Sequence, residues 1–194
     1  MTRAGGIVFG RPSTARLQFM LVEARASDLT YDHIGSTLDA VTDRRVHREH
    51  LVLGRGAQCF EDAVAGLRAW ACHDGIRATV YPPDAALQLG ETVLIVLPAG
   101  PLAIVVPDRI VAVVDESRRF GFAYGTLQGH QERGEEAFLI RRHDDDTVVM
   151  TIAVDAEPAT VAARLCAPLV LLFQRAALRR YLRALRDHVE RARP

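Results

Sequence analysis

From residue 76 to residue 155 the apolar residues come in short runs whose period is that of strands, with turn residues between them. The runs cover 76–81, 92–97, 102–106, 109–114, 119–127, 135–143 and 147–155. Between them stand Pro82-Pro83-Asp84, Pro98-Ala99-Gly100-Pro101, Pro107-Asp108 and the acidic turn His143-Asp144-Asp145-Asp146. Strands that follow one another this closely favour an antiparallel, strongly curved sheet of about six to seven strands. Residues 159–193 then read as one helical pattern interrupted at Pro168. Its first half, with Leu169-Val170-Leu171-Leu172-Phe173, is apolar nearly all round. Its second half confines Leu178, Leu182, Leu185 and Val189 to one stripe beside many arginines. The first half must be covered, and a sheet curved around it is the simplest cover. The fold class expected is therefore α+β in two layers.

Upstream, Pro12 and Ser13 open a helix that carries Leu17, Met20, Leu21 and Ala24. A second helix over 59–73 turns Phe60, Val64, Leu67 and Ala71 inward, and Asp74-Gly75 ends it. The 194 residues are read as one domain, with a helical segment at 1–28 and the C-terminal helix at 159–193. A domain of this length buries roughly 70% of its unfolded surface, enough for a core without staples. Residues 92–106 are apolar, but Pro98, Gly100 and Pro101 interrupt them and they fall short of the ~20 residues of a membrane helix.

Charge and motifs exclude several functions. The 24 acidic and 24 basic residues cancel, so no overall basic field gathers nucleic acid. Every basic residue is arginine, which reflects codon usage. Gly54-Arg55-Gly56 precedes a helix but lacks the Gly-Lys-Thr/Ser ending of a phosphate loop, and no Gly-x-Ser-x-Gly elbow occurs. Cys59, Cys72 and Cys166 form no close pair, and the N-terminus lacks the pattern of a secretory signal, so a reducing cytoplasm is expected. Nothing calls for a cofactor or a metal.

Residues 119–136 carry the chemistry. Phe120, Phe122, Tyr124 and Thr126 share one face of a strand, while Gly121, Ala123 and Gly125 leave the other nearly bare, so a backbone or a ligand can approach there. Glu135 and Glu136 are adjacent and must point to opposite faces, so at most one enters a pocket. Parity does not decide which. A buried carboxylate would titrate high enough to act as a general acid or base, whereas a pairing with Arg119 or Arg133 would make it structural. His130, in the glycine-bounded loop Gly129–Gly134, is placed to move protons at a pocket rim or to cap a turn. The candidate catalytic residues are thus His130, Glu135 and Glu136. Candidate ligand contacts are Tyr124, Tyr31, Tyr81 and Phe122, with Arg119 and Arg133 at the polar margin.

Several blocks together identify a family. Leu29-Thr30-Tyr31 with Gly35, Leu53-Gly54-Arg55-Gly56 with Phe60 and Trp70, Val80-Tyr81-Pro82-Pro83-Asp84, Val113-Val114-Asp115-Glu116, and above all Gly121-Phe122-Ala123-Tyr124-Gly125-Thr126-Leu127 resemble the family called domain of unknown function nineteen-ninety. Where that family usually has prolines after Leu127, this chain has Gln128 and Gln131. The resemblance implies the helix-grip, or START-like, superfamily, in which a curved sheet holds a long C-terminal helix and leaves a hydrophobic pocket between them. It also implies either a carrier of hydrophobic or amphipathic small molecules or an enzyme of the cyclase, dehydratase or hydrolase type. A third reading is an interaction module, for example a homodimer formed through the C-terminal helix or its arginines.

Overall fold

The computed structural model describes residues 4–38, 46–159 and 167–192. Its centre is an antiparallel sheet of eight strands: β1 (Gly6–Phe9), β2 (His47–Arg55), β3 (Thr79–Tyr81), β4 (Thr92–Ala99), β5 (Leu102–Glu116), β6 (Arg119–Thr126), β7 (Glu132–Arg142) and β8 (Thr147–Pro158). The order is β2-β8-β7-β6-β5-β4-β3, and β1 adds to β5 beyond the end of β6. Among the described residues four helices accompany it: α1 (Thr14–Arg25), α2 (Ala57–Arg68), α3 (Ala71–Asp74) and α4 (Ala167–Ala192). The expected α+β arrangement of a curved sheet against a long C-terminal helix is what the chain adopts.

On the inner face α4 lays Leu178, Tyr181, Leu182, Leu185 and Val189 into a core with Phe120, Phe122, Phe138, Ile140 and Ile152 of the sheet. Apart from Tyr181, this is the stripe expected from the sequence. Gly66 of α2 lets that helix come close to α4, since a Cβ there would lie 2.6 Å from Leu185 Cδ1. On the outer face, Ser13 caps α1 by accepting from Arg16 N at 3.3 Å. Helix α1 then buries Met20, Leu21 and Ala24 against Leu94, Val96, Ala103 and Val105.

Four details depart from the sequence reading. Residues 102–106 and 109–114 form one strand, because Pro107 sits where β1 stops pairing at Val105 and β6 starts at Asp108. No ladder donor is needed at that junction, so proline is tolerated without a turn. The helix expected over 59–73 is broken at Trp70, which takes a left-handed backbone (φ 58°). In that position its Nε1 donates to Ala85 O at 2.9 Å and its ring meets Phe122 edge-on. Strand β2 was not anticipated, since His47-Arg48-Glu49-His50 reads as polar loop; it is a sheet edge, where charged side chains are common. The segment expected to be helical at 1–28 also contains β1. Helix α4 is described from Ala167, so Pro168 lies at the start of its described length. The expectation that residues 160–173 form an apolar half-helix needing cover falls outside the described residues, save that the backbone is helical from Ala167.

Candidate functional site

Strand alternation divides β6 and β7 into two very different surfaces. In the register, Tyr124 stands opposite Glu136 and Gly125 opposite Glu135. Phe120, Phe122, Tyr124 and Thr126 turn inward, and Glu136 follows them.

The outward side is closed by the chain itself. A Cβ on Gly125 would lie 2.1 Å from the hydroxyl oxygen of Tyr31, so the bare face is where residues 29–38 cross the sheet. There Glu135, 2% exposed, accepts from Tyr31 Oη at 2.8 Å, Gly35 N at 2.7 Å, Thr37 N at 3.1 Å and the Thr37 hydroxyl. Thr30 is tied to Thr126 by its N–H and its hydroxyl. These bonds make a strap fastened to the sheet at one carboxyl group. Burial, then the adjacent Glu135, push the Tyr31 hydroxyl far up from its ordinary pKa.

The inward side opens into a cavity. Around it the described residues enclose about 390 Å³ between β4, β5, β7, β8 and α4. Ile76, Ile95, Leu97, Ile104, Val106, Val154 and Leu178 form an apolar wall, and Asp108, Tyr124, His130, Glu132, Glu136, Gln174 and Tyr181 gather as its polar lining. Tyr124 Oη donates to Glu136 Oε2 at 2.5 Å, and Gln174 Nε2 donates to Glu132 Oε1. His130 Nδ1 lies 2.8 Å from Glu132 N and 3.1 Å from Glu132 O, and it accepts from the amide in the tautomer that carries its proton on Nε2. That nitrogen stands 3.7 Å from Asp108 Oδ1, beyond hydrogen-bond reach. Asp108 is fully buried, and neither of its oxygens has a hydrogen-bond partner among the described residues.

Burial sets the titration of this lining. It raises Asp108 well above the usual carboxyl range, with Glu136 and Glu132 adding to the rise. It pushes Glu136 up to about 7, against the opposing bond from Tyr124, and it lowers His130 to about 4. The Tyr124 and Tyr181 hydroxyls are driven well up, first by burial and then by Glu136. Near neutral pH burial thus keeps His130 neutral, favours the protonated form of Asp108 and leaves Glu136 balanced between its two forms.

The residues singled out from the sequence separate accordingly. Tyr124, His130 and Glu136 line the cavity together. Phe122 stacks on Phe138 in the core behind them, with ring centroids 5.1 Å apart. Glu135 and Tyr31 meet each other, but on the strap side of the sheet. Tyr81 donates to Gln18 Oε1 of α1 at 2.9 Å. Arg119 reaches Leu38 O at 3.3 Å and Glu116, and Arg133 is exposed. The arginine pairing weighed for the two glutamates is not what holds them: the hydrogen bonds to Glu135 come from the strap, and the one to Glu136 comes from Tyr124.

Asp108, Glu132, Gln174 and Tyr181 were missed. For Asp108 the signal was present, because it shares parity with Ile104, Val106 and Ile110 once Pro107 is read as part of a strand.

With that geometry in view, a family model described as "Domain of unknown function (DUF1990)" matches residues 30–184. The chain belongs to this family. Among its relatives, a UPF0548 protein of Deinococcus radiodurans is 31% identical over 90% of this chain and 94% of its own. A UPF0548 protein of Dictyostelium discoideum is 27% identical over 86% and 88%. Among solved structures, a hypothetical protein of Helicobacter pylori superposes with a TM-score of 0.53 at 14% identity, covering 74% of this chain and 86% of that one. At that identity the likeness shows the fold alone. Among the described residues, no helix is long and apolar enough to cross a membrane.

Proposed function

We propose that this family member binds a hydrophobic or amphipathic small molecule between its sheet and α4. The observation that carries this reading is the wall of aliphatic side chains closing on a buried Asp108 whose oxygens have no hydrogen-bond partner among the described residues. Concave, mostly apolar sites with a few convergent polar groups are how proteins hold small molecules. The apolar wall takes the body of the ligand, and Asp108, Glu136 and His130 fix its polar end.

Native and denaturing mass spectrometry of protein purified from a lipid-rich host tests this. A stoichiometric small molecule released on unfolding supports the reading. Failure to retain any apolar or amphipathic compound, with wild type and Tyr124→Ala alike, counts against it.

One observation favours a catalytic variant of the same reading. Glu136, with a pKa of about 7 and a short bond from Tyr124, is tuned for general acid or base work at neutral pH. In an enzyme of the cyclase, dehydratase or hydrolase type it would move the proton, Tyr124 would orient the substrate and His130 would donate from Nε2. Glu136→Gln should then cost ~100-fold or more in turnover of a bound compound while sparing its binding.

A further inference from the structure

We infer that the cavity selects molecules whose polar end is a protonated amine and discriminates against their carboxylate analogues, a reading that rests on the cavity being a binding site. Apart from two tyrosines and His130, the ionisable side chains that line it among the described residues are carboxylic acids, namely Asp108, Glu132 and Glu136. No arginine lines it among the described residues, and the chain contains no lysine. The basic ring that lines it among the described residues, His130, is held neutral by burial and offers no positive charge.

An acidic cluster alone would not define a site. Here a cavity of stated volume is present, and Asp108 stands in its wall fully buried with both oxygens unbonded among the described residues. A buried polar group without a partner costs the fold free energy, which a donor on the ligand recovers. An ammonium group brings up to three N–H donors and a full charge, and the tyrosine rings of Tyr124 and Tyr181 line the same space, where cations are favoured over anions. A carboxylate head would meet three carboxyl groups and, among the described residues, no cation to pair with. An alcohol would satisfy one carboxyl and gain no charge pairing.

The same chemistry makes proton release a signature of amine uptake. Before an amine enters, burial favours the protonated form of Asp108 and leaves part of the Glu136 population protonated; the cation favours the ionised forms and drives protons off. The other titratable groups facing them are Glu132 on β7, Tyr124 on β6, His130 in the preceding turn and Tyr181 on α4, with Cys72 and His73 of α3 behind. Burial keeps both tyrosines and Cys72 protonated and both histidines neutral at pH 7. The carboxyls are thus the source.

Isothermal titration calorimetry of the full chain with n-octylamine, n-octanol and n-octanoate, at pH 7 in two buffers of different protonation enthalpy, tests the inference. The amine should bind at least tenfold more tightly than the alcohol, the octanoate most weakly, and only the amine should release protons. In Asp108→Asn and Glu136→Gln the ratio of amine to alcohol affinity should fall at least fivefold, with folding checked by circular dichroism. If one variant does not fold, the other carries the comparison. Alcohol binding as tight as amine binding, or octanoate binding tightest, overturns the amine preference and leaves the binding site standing. Binding of none of the three overturns both.

Discussion

Glu135 and Glu136 are chain neighbours of identical chemistry, and the sheet gives them opposite fates. Glu135 points to the outer face, where four donors from Tyr31, Gly35 and Thr37 converge on its two oxygens. Glu136 points inward, receives a hydrogen bond from Tyr124, and faces a cavity that also holds Asp108, which has no hydrogen-bond partner among the described residues. The outer carboxyl has its hydrogen-bonding capacity filled by the chain and acts as a fastener. The inner ones retain capacity, which is what a ligand or a substrate requires. Burial alone does not separate the two roles, since Glu135 and Asp108 are both buried. Counting donors does.

The sharpest way to break this contrast is Glu135→Ala. It leaves the Gly35 and Thr37 amides without their acceptor under the strap, and a loss of ~4 kcal/mol in chemical denaturation is expected. A loss below ~1 kcal/mol would mean that the strap is not held through this residue. Gly125→Ala attacks the same fastening from the sheet. Its Cβ would fall 2.1 Å from the Tyr31 hydroxyl oxygen, which must move and weaken its bond to Glu135. About 3 kcal/mol is expected, and Tyr31→Phe in the Gly125→Ala background should then add less than it does in wild type.

On the inner side the expectation is reversed. The pKa of Glu136 is raised from 4.5 to about 7 in the folded chain. Its contribution to stability is complete below the unfolded value and declines as pH rises through 7, because the folded state then carries a buried charge. Glu136→Gln should therefore gain on wild type by about 2 kcal/mol between pH 5 and pH 8. A difference independent of pH would show that this carboxyl titrates normally.

The layers of the fold were legible because their periodicities are long and uninterrupted. The stripe Leu178, Leu182, Leu185 and Val189 and the alternation Phe120, Phe122, Tyr124 follow from helix and strand geometry alone. The parity of the glutamates was legible as an opposition but not as an assignment, since Ala137 and Leu139 on one side and Phe138 and Ile140 on the other are all apolar. Only the strap breaks that symmetry, and its bonds span about a hundred residues of sequence, from Tyr31 to Glu135. Asp108 escaped notice because proline before an acidic residue reads locally as a turn, while its place at the junction of β1 and β6 is a property of pairing. Tyr181 was hidden in the same way, one helical turn from leucines that read as ordinary core.

The division between the faces of β7 also shapes how such a chain can diversify. Substitutions at Ile104, Val106, Val154 or Ala177 alter the cavity wall without touching the fastening of the strap. Insertion of a single residue between Gly134 and Glu135 would instead exchange the two glutamates, placing the fastener in the cavity and the cavity's acid under the strap. Descendants of this sequence can therefore drift widely in what the interior accepts, while the length of this stretch of β7 stays fixed.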